Sequence, residues 1–192
     1  MREVPDDLRD LFEGQVEDVH LEIGFGGGEH LTARAAAEPS VGFIGVEPFL
    51  DGMAKMLAEV DRRGLGNVRL HDEDAGALLA RLPAASVGRI DLLYPDPWPK
   101  VRHHKRRFVN PDNLTHIARV LRPGGTFRFA SDWADYVNWT LERTAREPAL
   151  RWTARRAADW REPWDGWHRT RYEAKAVREG RVPAYLVFER AG

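Results

Sequence analysis

Short apolar runs alternate with helical stretches from residue 16 onward, and this alternation confines the chain to one class of fold. Residues 19–23, 41–46, 67–70, 90–94 and 126–130 read as strands. Residues 29–37, 50–63, 110–121 and 133–146, and a stretch closing at Leu82, read as helices, with stops at Pro39 and Gly64. Met53, Met56, Leu57 and Val60 share one helical face, which assigns them to the core rather than to a cofactor. Strands joined by helices of about ten to fourteen residues pair in parallel through right-handed crossovers, giving an α/β sheet. A helical turn or two is expected within 6–12. A turn is expected at Arg122-Pro123-Gly124-Gly125, and a weakly alternating last strand at 185–188, after the pattern loosens at Pro148. No internal repeat or linker divides the sequence, so residues 1–192 are expected to form a single domain, with 1–15 as a short N-terminal segment.

At 192 residues, the chain is long enough to bury about 70% of the surface its unfolded form exposes. Its net charge of −1 means that any cationic surface must be local. It has no cysteine, which excludes disulfides, thiolate metal sites and a thiol nucleophile. No apolar run approaches the roughly 20 residues of a membrane span, and no signal peptide is evident, so a cytoplasmic location is expected.

In open α/β sheets, ligands bind beyond the carboxyl ends of the strands. Each of the first five strands ends near an acid: Glu22, Glu47, Asp74, Asp96 and Asp132, the last preceded by Ser131. After the first strand, Gly24, Gly26 and Gly28 form a turn whose backbone can approach a ligand closely. Glu47 follows about twenty residues later, where an acid can accept both hydroxyls of a ribose. Singly, Glu22 or Asp74 reads equally well as a helix cap or a solvated strand end; the acids in register with the glycine loop form a pattern. Two nucleoside cofactors compete for it. A dinucleotide needs a small residue where Glu29 stands, and a loop free of negative charge near its pyrophosphate. S-adenosylmethionine carries net positive charge and no phosphate, and suits a crevice lined with carboxylates.

The fourth strand runs into Pro95-Asp96-Pro97-Trp98-Pro99, three prolines in five residues, which cannot extend a ladder. Lys100, Arg102, Lys105, Arg106 and Arg107 follow within eight residues, together with His103 and His104. A charge run of this kind is usually solvated surface, but one adjoining a candidate active-site acid points to phosphate contacts with RNA. The histidines lack partners at metal spacing, so phosphate contact or solvation is expected of them. Trp98 can stack on a base or anchor the turn. Trp152, Trp160, Trp164 and Trp167, interleaved with Arg151, Arg155, Arg156, Arg161 and Arg169, form either an RNA-facing lid or a satellite core.

Taken together, Glu22-Ile23-Gly24-Phe25-Gly26-Gly27-Gly28-Glu29-His30, Gly45-Val46-Glu47-Pro48, Pro95-Asp96-Pro97-Trp98-Pro99-Lys100 with its basic continuation, Ser131-Asp132 and Thr170-Arg171-Tyr172-Glu173 resemble the bacterial tRNA (guanine-N7-)-methyltransferases. The resemblance covers roughly residues 19–189. It implies a Rossmann-like, seven-stranded class I methyltransferase sheet with helices on both faces, and methylation of a guanine in the tRNA variable region. It also implies that Glu22, Glu47, Asp74 and Asp96 bind S-adenosylmethionine, that Asp96 is the active-site acid, and that Lys100, Asp132, Thr170, Arg171, Tyr172 and Glu173 bind tRNA. The family often has a longer basic N-terminal arm than the eighteen residues preceding residue 19 here, and Thr in place of Ser131.

The implied chemistry suits these residues. Guanine N7 has an in-plane lone pair and no proton, so alignment rather than base catalysis is required. Positive charge grows on the purine, and a fixed carboxylate such as Asp96, alone or with Asp132, favours that state. Both acids can also accept hydrogen bonds from guanine N1–H and its amine. The expected product is S-adenosylhomocysteine, with no metal, no covalent intermediate and no obligatory protein partner, in a monomer or homodimer. Two alternatives stand beside this reading: a methyltransferase acting on a small molecule or a protein, and a non-catalytic RNA-binding protein on the same scaffold.

Overall fold

Apolar strand residues meet in a single sheet. The computed structural model describes residues 3–192. The strands are β1 (Asp18–Ile23), β2 (Val41–Val46), β3 (Val68–His71), β4 (Val87–Leu93), β5 (Leu121–Ser131), β6 (Leu150–Trp152) and β7 (Ala184–Arg190). They lie in the order β3-β2-β1-β4-β5-β7-β6. β1 to β5 pair in parallel, and β7 runs antiparallel between β5 and β6. The alternation pattern predicts the parallel part and the last strand, here β7, but not β6 or the antiparallel pairing, because the segment after Pro148 carries little periodicity. Ile23 pairs with Val46 and with Leu92, so β1, β2 and β4 end at one level, and the order reverses between β1 and β4.

The connecting helices begin and end on readable chemistry. They are α1 (Glu29–Ala37), α2 (Leu50–Arg63), α3 (Ala75–Arg81), α4 (Pro111–Val120), α5 (Ala134–Thr144), α6 (Ala158–Arg161) and α7 (Arg171–Arg178). Asn110 caps α4 by accepting from Asn113 N–H at 3.0 Å, with Pro111 at the first turn, where no donor is needed. Gly64 ends α2 in the left-handed region at φ +62°. A 3-10 turn (Leu8–Leu11) stands where a helical turn is expected. Arg122 to Gly125 bulge out of β5 between the pairs Val87–Leu121 and Arg89–Thr126, so the strand resumes its ladder on both sides of the expected turn.

Strand alternation divides the core in two. Leu21, Ile23, Ile44, Val46, Ile90, Leu92, Phe127, Phe129, Leu186 and Phe188 enter one large cluster with residues of α3, α4 and α5. Each fully buried side chain of this size contributes about 1.5–3 kcal/mol. On the other face, Phe25, Leu31, Ala35, Phe43, Met56 and Val68 form a second cluster under α1 and α2. Leu57 departs from the expected buried stripe: it is 54% exposed, while Met53 and Val60 pack at the cluster's edge, so the apolar face of α2 is narrower than its sequence implies. No helix among the described residues is long and apolar enough to cross a membrane.

Candidate active site

The glycine loop after β1 is held open by its own backbone and by Glu47. Gly24, Gly26 and Gly28 have φ of +72°, +56° and +80°, which other residues adopt only at a cost. Gly24 N–H donates to Val46 O at 2.7 Å. The buried Glu47 carboxylate accepts from Gly26 N–H at 2.8 Å and from Phe49 N–H at 3.1 Å, clamping the loop to the end of β2. A Cβ on Gly28 would run into Met56 Sδ. Beyond β3, Asp74 caps α3 by accepting from Ala77 N–H at 2.8 Å, leaving its second oxygen outside that bond.

Glu22 is buried on the sheet face away from the main core, and His30 on α1 meets it with Nδ1 at 2.7 Å from Oε2. Burial raises the Glu22 carboxyl above its ordinary range, against the pull of His30. Burial would lower the His30 imidazole, but the Glu22 charge and hydrogen bond outweigh it and the group is raised. Single ligand atoms of Glu22, His30 and Asp91 lie within 4.8 Å of one another, the only such buried trio found among the described residues. Arg34, Arg89 and Arg128 bear on the same trio, and they oppose binding of a further cation there.

Beyond β4 the chain enters a strained turn. Tyr94 N–H still donates to Ala130 O at 2.8 Å, but Tyr94 and Trp98 have φ of +50° and +44°, a conformation costing roughly 1–3 kcal/mol each. Between them Asp96 is exposed. A 3-10 helix (Val101–Arg106) then carries the basic run. Lys100, Arg102, Lys105 and Arg106 are exposed on it, as the sequence leads one to expect. Arg107 is a correction. It is 1% exposed, donates from Nε to Pro97 O at 2.9 Å, pairs with Asp135, and lies over the rings of Tyr136 and Trp139 at 4.9 and 4.8 Å. Enclosed this way, its guanidinium ties the proline turn to α5 instead of standing on the exposed cationic surface. Trp98 is half-buried against Arg106 (4.8 Å) and His103 (5.9 Å), anchoring the turn to the basic helix.

The remaining residues expected at the substrate divide by burial. Asp132 forms an ion pair with Arg181. Thr170 caps α7 by accepting from Glu173 N–H at 3.1 Å. Thr170 and Glu173 are both buried, and the Glu173 carboxylate accepts from Trp167 Nε1–H at 2.8 Å and from the Tyr185 hydroxyl at 2.7 Å. In this structure both residues make internal hydrogen bonds that tie α7 to the Trp167 and Tyr185 side chains. Arg171 and Tyr172 are exposed beside the glycine loop: a Cβ on Gly26 would lie 3.2 Å from the Tyr172 ring, and Arg171 pairs with Glu29 at 3.5 Å. Trp164 and Trp167 form a satellite core with Leu93, Ala130, Tyr185 and Tyr94; Trp160 packs on the main core and Trp152 is exposed. Burial raises the hydroxyls of Tyr94 and Tyr185 in this core above the usual tyrosine range.

The sequence pattern assigns no site role to His30, Arg181 or Tyr185, and of the two readings of Trp167 the structure shows the satellite core. A signal for the polar sheet face was available: Arg89 and Asp91 alternate with Ile90 and Leu92, and Arg128 lies between Phe127 and Phe129. Which side chains pair across that face depends on register between strands far apart in sequence.

A family model described as "Putative methyltransferase" matches residues 16–185. A tRNA (guanine-N(7)-)-methyltransferase of Mesorhizobium japonicum is 62% identical over 188 residues, spanning 98% of this chain and 81% of the relative. One from Azorhizobium caulinodans is 61% identical, spanning 94% and 78%. Among solved structures, the 16S rRNA methyltransferase KamB superposes with a TM-score of 0.69 at 21% identity, covering 100% of this chain and 96% of that one, which supports the same fold. The glycine loop with its acid clamp, the strained Pro-Asp-Pro-Trp turn and these matches make the chain a member of the tRNA (guanine-N7-)-methyltransferase family of class I methyltransferases.

Proposed function

We propose that this chain is a cytoplasmic enzyme that transfers the methyl group of S-adenosylmethionine to N7 of a guanine in the variable region of tRNA. The observation that carries the reading is the junction at the end of β4. There the exposed Asp96 sits in a strained turn, flanked on one side by the strand bearing the glycine loop and on the other by a helix presenting Lys100, Arg102, Lys105 and Arg106.

The donor set suits the cofactor. Glu22, Glu47 and Asp74 place carboxylates around the glycine loop, where Gly24 faces open space while Tyr172 and Arg171 lie against Gly26 and Gly27. Glu47 already accepts two backbone N–H bonds, so it reaches a ligand pre-oriented, with lone pairs to spare. When bound, S-adenosylmethionine supplies a methyl carbon on a cationic sulfur; the C–S bond breaks as the bond to N7 forms, and the positive charge passes to the purine. The chain itself needs no general base, since N7 carries no proton. Its tasks are to hold the guanine in line and to face the purine with fixed negative charge. Asp96 meets the second task, because its turn is locked to α5 through Arg107 before any substrate arrives. Asp96 and Asp132 also offer acceptors for guanine N1–H and its amine, a donor pattern adenine lacks. The exposed cations hold the surrounding phosphates, which makes binding salt-sensitive.

The test is incubation with labelled S-adenosylmethionine and unmodified tRNA, followed by mapping of the label. Label on N7 of a variable-region guanine supports the assignment; label elsewhere, or none, refutes it.

A further inference from the structure

Glu22, the acid at the carboxyl end of β1, is 5% exposed, and nothing in its position alone favours an anion there. Its partner is His30, 2% exposed and the second residue of α1, with Nδ1 at 2.7 Å from Glu22 Oε2. His30 Nε2 is buried without a hydrogen-bond partner, so the ring is spent wholly on Glu22. Its orientation is fixed by packing: the Trp167 ring lies 5.3 Å away, and Trp167 is itself held by its hydrogen bond to Glu173. We propose that His30 is a positioning residue for Glu22, its imidazole fixing the orientation of the carboxylate and supplying the buried positive charge beside it, so that Glu22 meets a cationic methyl donor as an oriented anion. This role rests on S-adenosylmethionine being the cofactor.

The surroundings favour an imidazolium over a metal ion at this place. Asp91 on β4 faces the pair and adds a second negative charge. Arg34 on α1 lies close to both groups, with one guanidinium nitrogen donating to Gly166 O at 3.2 Å and another paired with Glu38. Arg89 on β4 and Arg128 on β5 stand further along the same face beside Asp91. A divalent ion among Glu22, His30 and Asp91 would bring two positive charges before three guanidinium groups, whereas a proton on His30 brings one, which Glu22 at 2.7 Å and the nearby Asp91 offset. Without that proton, burial would drive Glu22 to the neutral acid, which has no attraction for a sulfonium or an ammonium group.

Calorimetric titration with S-adenosylmethionine between about pH 6 and pH 9 tests this on the whole chain, using wild type, His30→Phe and His30→Asn. Phe keeps the packing on Trp167 and removes both donor and charge; Asn keeps a donor near the position of Nδ1. The affinity of His30→Phe should be lowest at acid pH and should recover by up to about tenfold per pH unit as Glu22 ionises, while wild type changes by less than about threefold. His30→Asn should fall between them, because orientation returns without the charge. A His30→Phe affinity equal to wild type, or one reduced equally at every pH, would overturn the proposal, the second result marking a packing defect. In the cofactor-free protein, nitrogen-15 shifts should show His30 protonated beyond the pH at which exposed histidines titrate. A neutral ring at pH 6 would overturn the role whatever the calorimetry shows. Wild type that takes up no S-adenosylmethionine, with His30 protonated, instead refutes the cofactor reading on which the role rests.

Discussion

Arg107→Ala separates two fates for a cation that sits in a run of otherwise exposed ones. The guanidinium donates to Pro97 O, pairs with Asp135 and fills the space between the Tyr136 and Trp139 rings. Deleting it leaves the Pro97 carbonyl without its charged donor, a loss of about 1.5–3 kcal/mol. The vacated volume between two aromatic rings adds about 2 kcal/mol, at the low end for large-to-small changes because the side chain is only partly apolar. Asp135 contributes little, since its side chain is 61% exposed and regains water. The expected total is about 3.5–5 kcal/mol, which at an m-value of roughly 2 kcal/mol/M lowers the urea midpoint by about 1.8–2.5 M. Urea unfolding followed by tryptophan fluorescence, with tRNA binding measured at several salt concentrations, reads both fates. An unchanged midpoint, with tRNA affinity reduced and the salt slope lowered by about one, would show that Arg107 holds a phosphate and that the enclosed strut is wrong.

Further outcomes follow from the same geometry. Asp96→Ala should lower single-turnover methyl transfer by about 10²–10³ while leaving the thermal midpoint unchanged, because the side chain is exposed and only its charge is lost; near-normal turnover removes its catalytic role. Gly28→Ala should destabilise by about 2–4 kcal/mol, since it adds left-handed strain at φ +80° to a collision with Met56, and calorimetry should show cofactor binding lost with it. Charge reversal at Lys105 and Arg106 should weaken tRNA binding and flatten its salt dependence by about one unit per charge, without affecting calorimetric binding of S-adenosylmethionine. Tyr185→Phe should leave the Glu173 carboxylate short of one buried donor and cost about 1–3 kcal/mol in thermal unfolding; no loss of stability would mean water replaces the hydroxyl.

Much of the architecture follows from the sequence, because its determinants are local. The ranges 29–37, 41–46 and 50–63 are bounded by Gly28, Pro39 and Gly64, whose backbone preferences act without help from distant residues. The glycine loop, the acids at strand ends and the proline turn are legible for the same reason, and they carry the family resemblance. Tertiary structure decided which of two neighbouring, chemically identical groups does what. Arg106 is exposed and Arg107 is buried because α5, some thirty residues on, brings Asp135, Tyr136 and Trp139 beneath one and not the other. Thr170 and Glu173 turn inward because β7 presents Tyr185 to them, while Arg171 and Tyr172 come to lie over a glycine loop more than 140 residues earlier. The Glu22–His30 pair lies only eight residues apart, yet its character comes also from Asp91, brought opposite Glu22 by strand pairing, and from Trp167 on a distant loop, with only Arg34 supplied by the same helix. Local propensity chooses elements; burial and charge depend on what packs over them, and that is set by pairing register at long range.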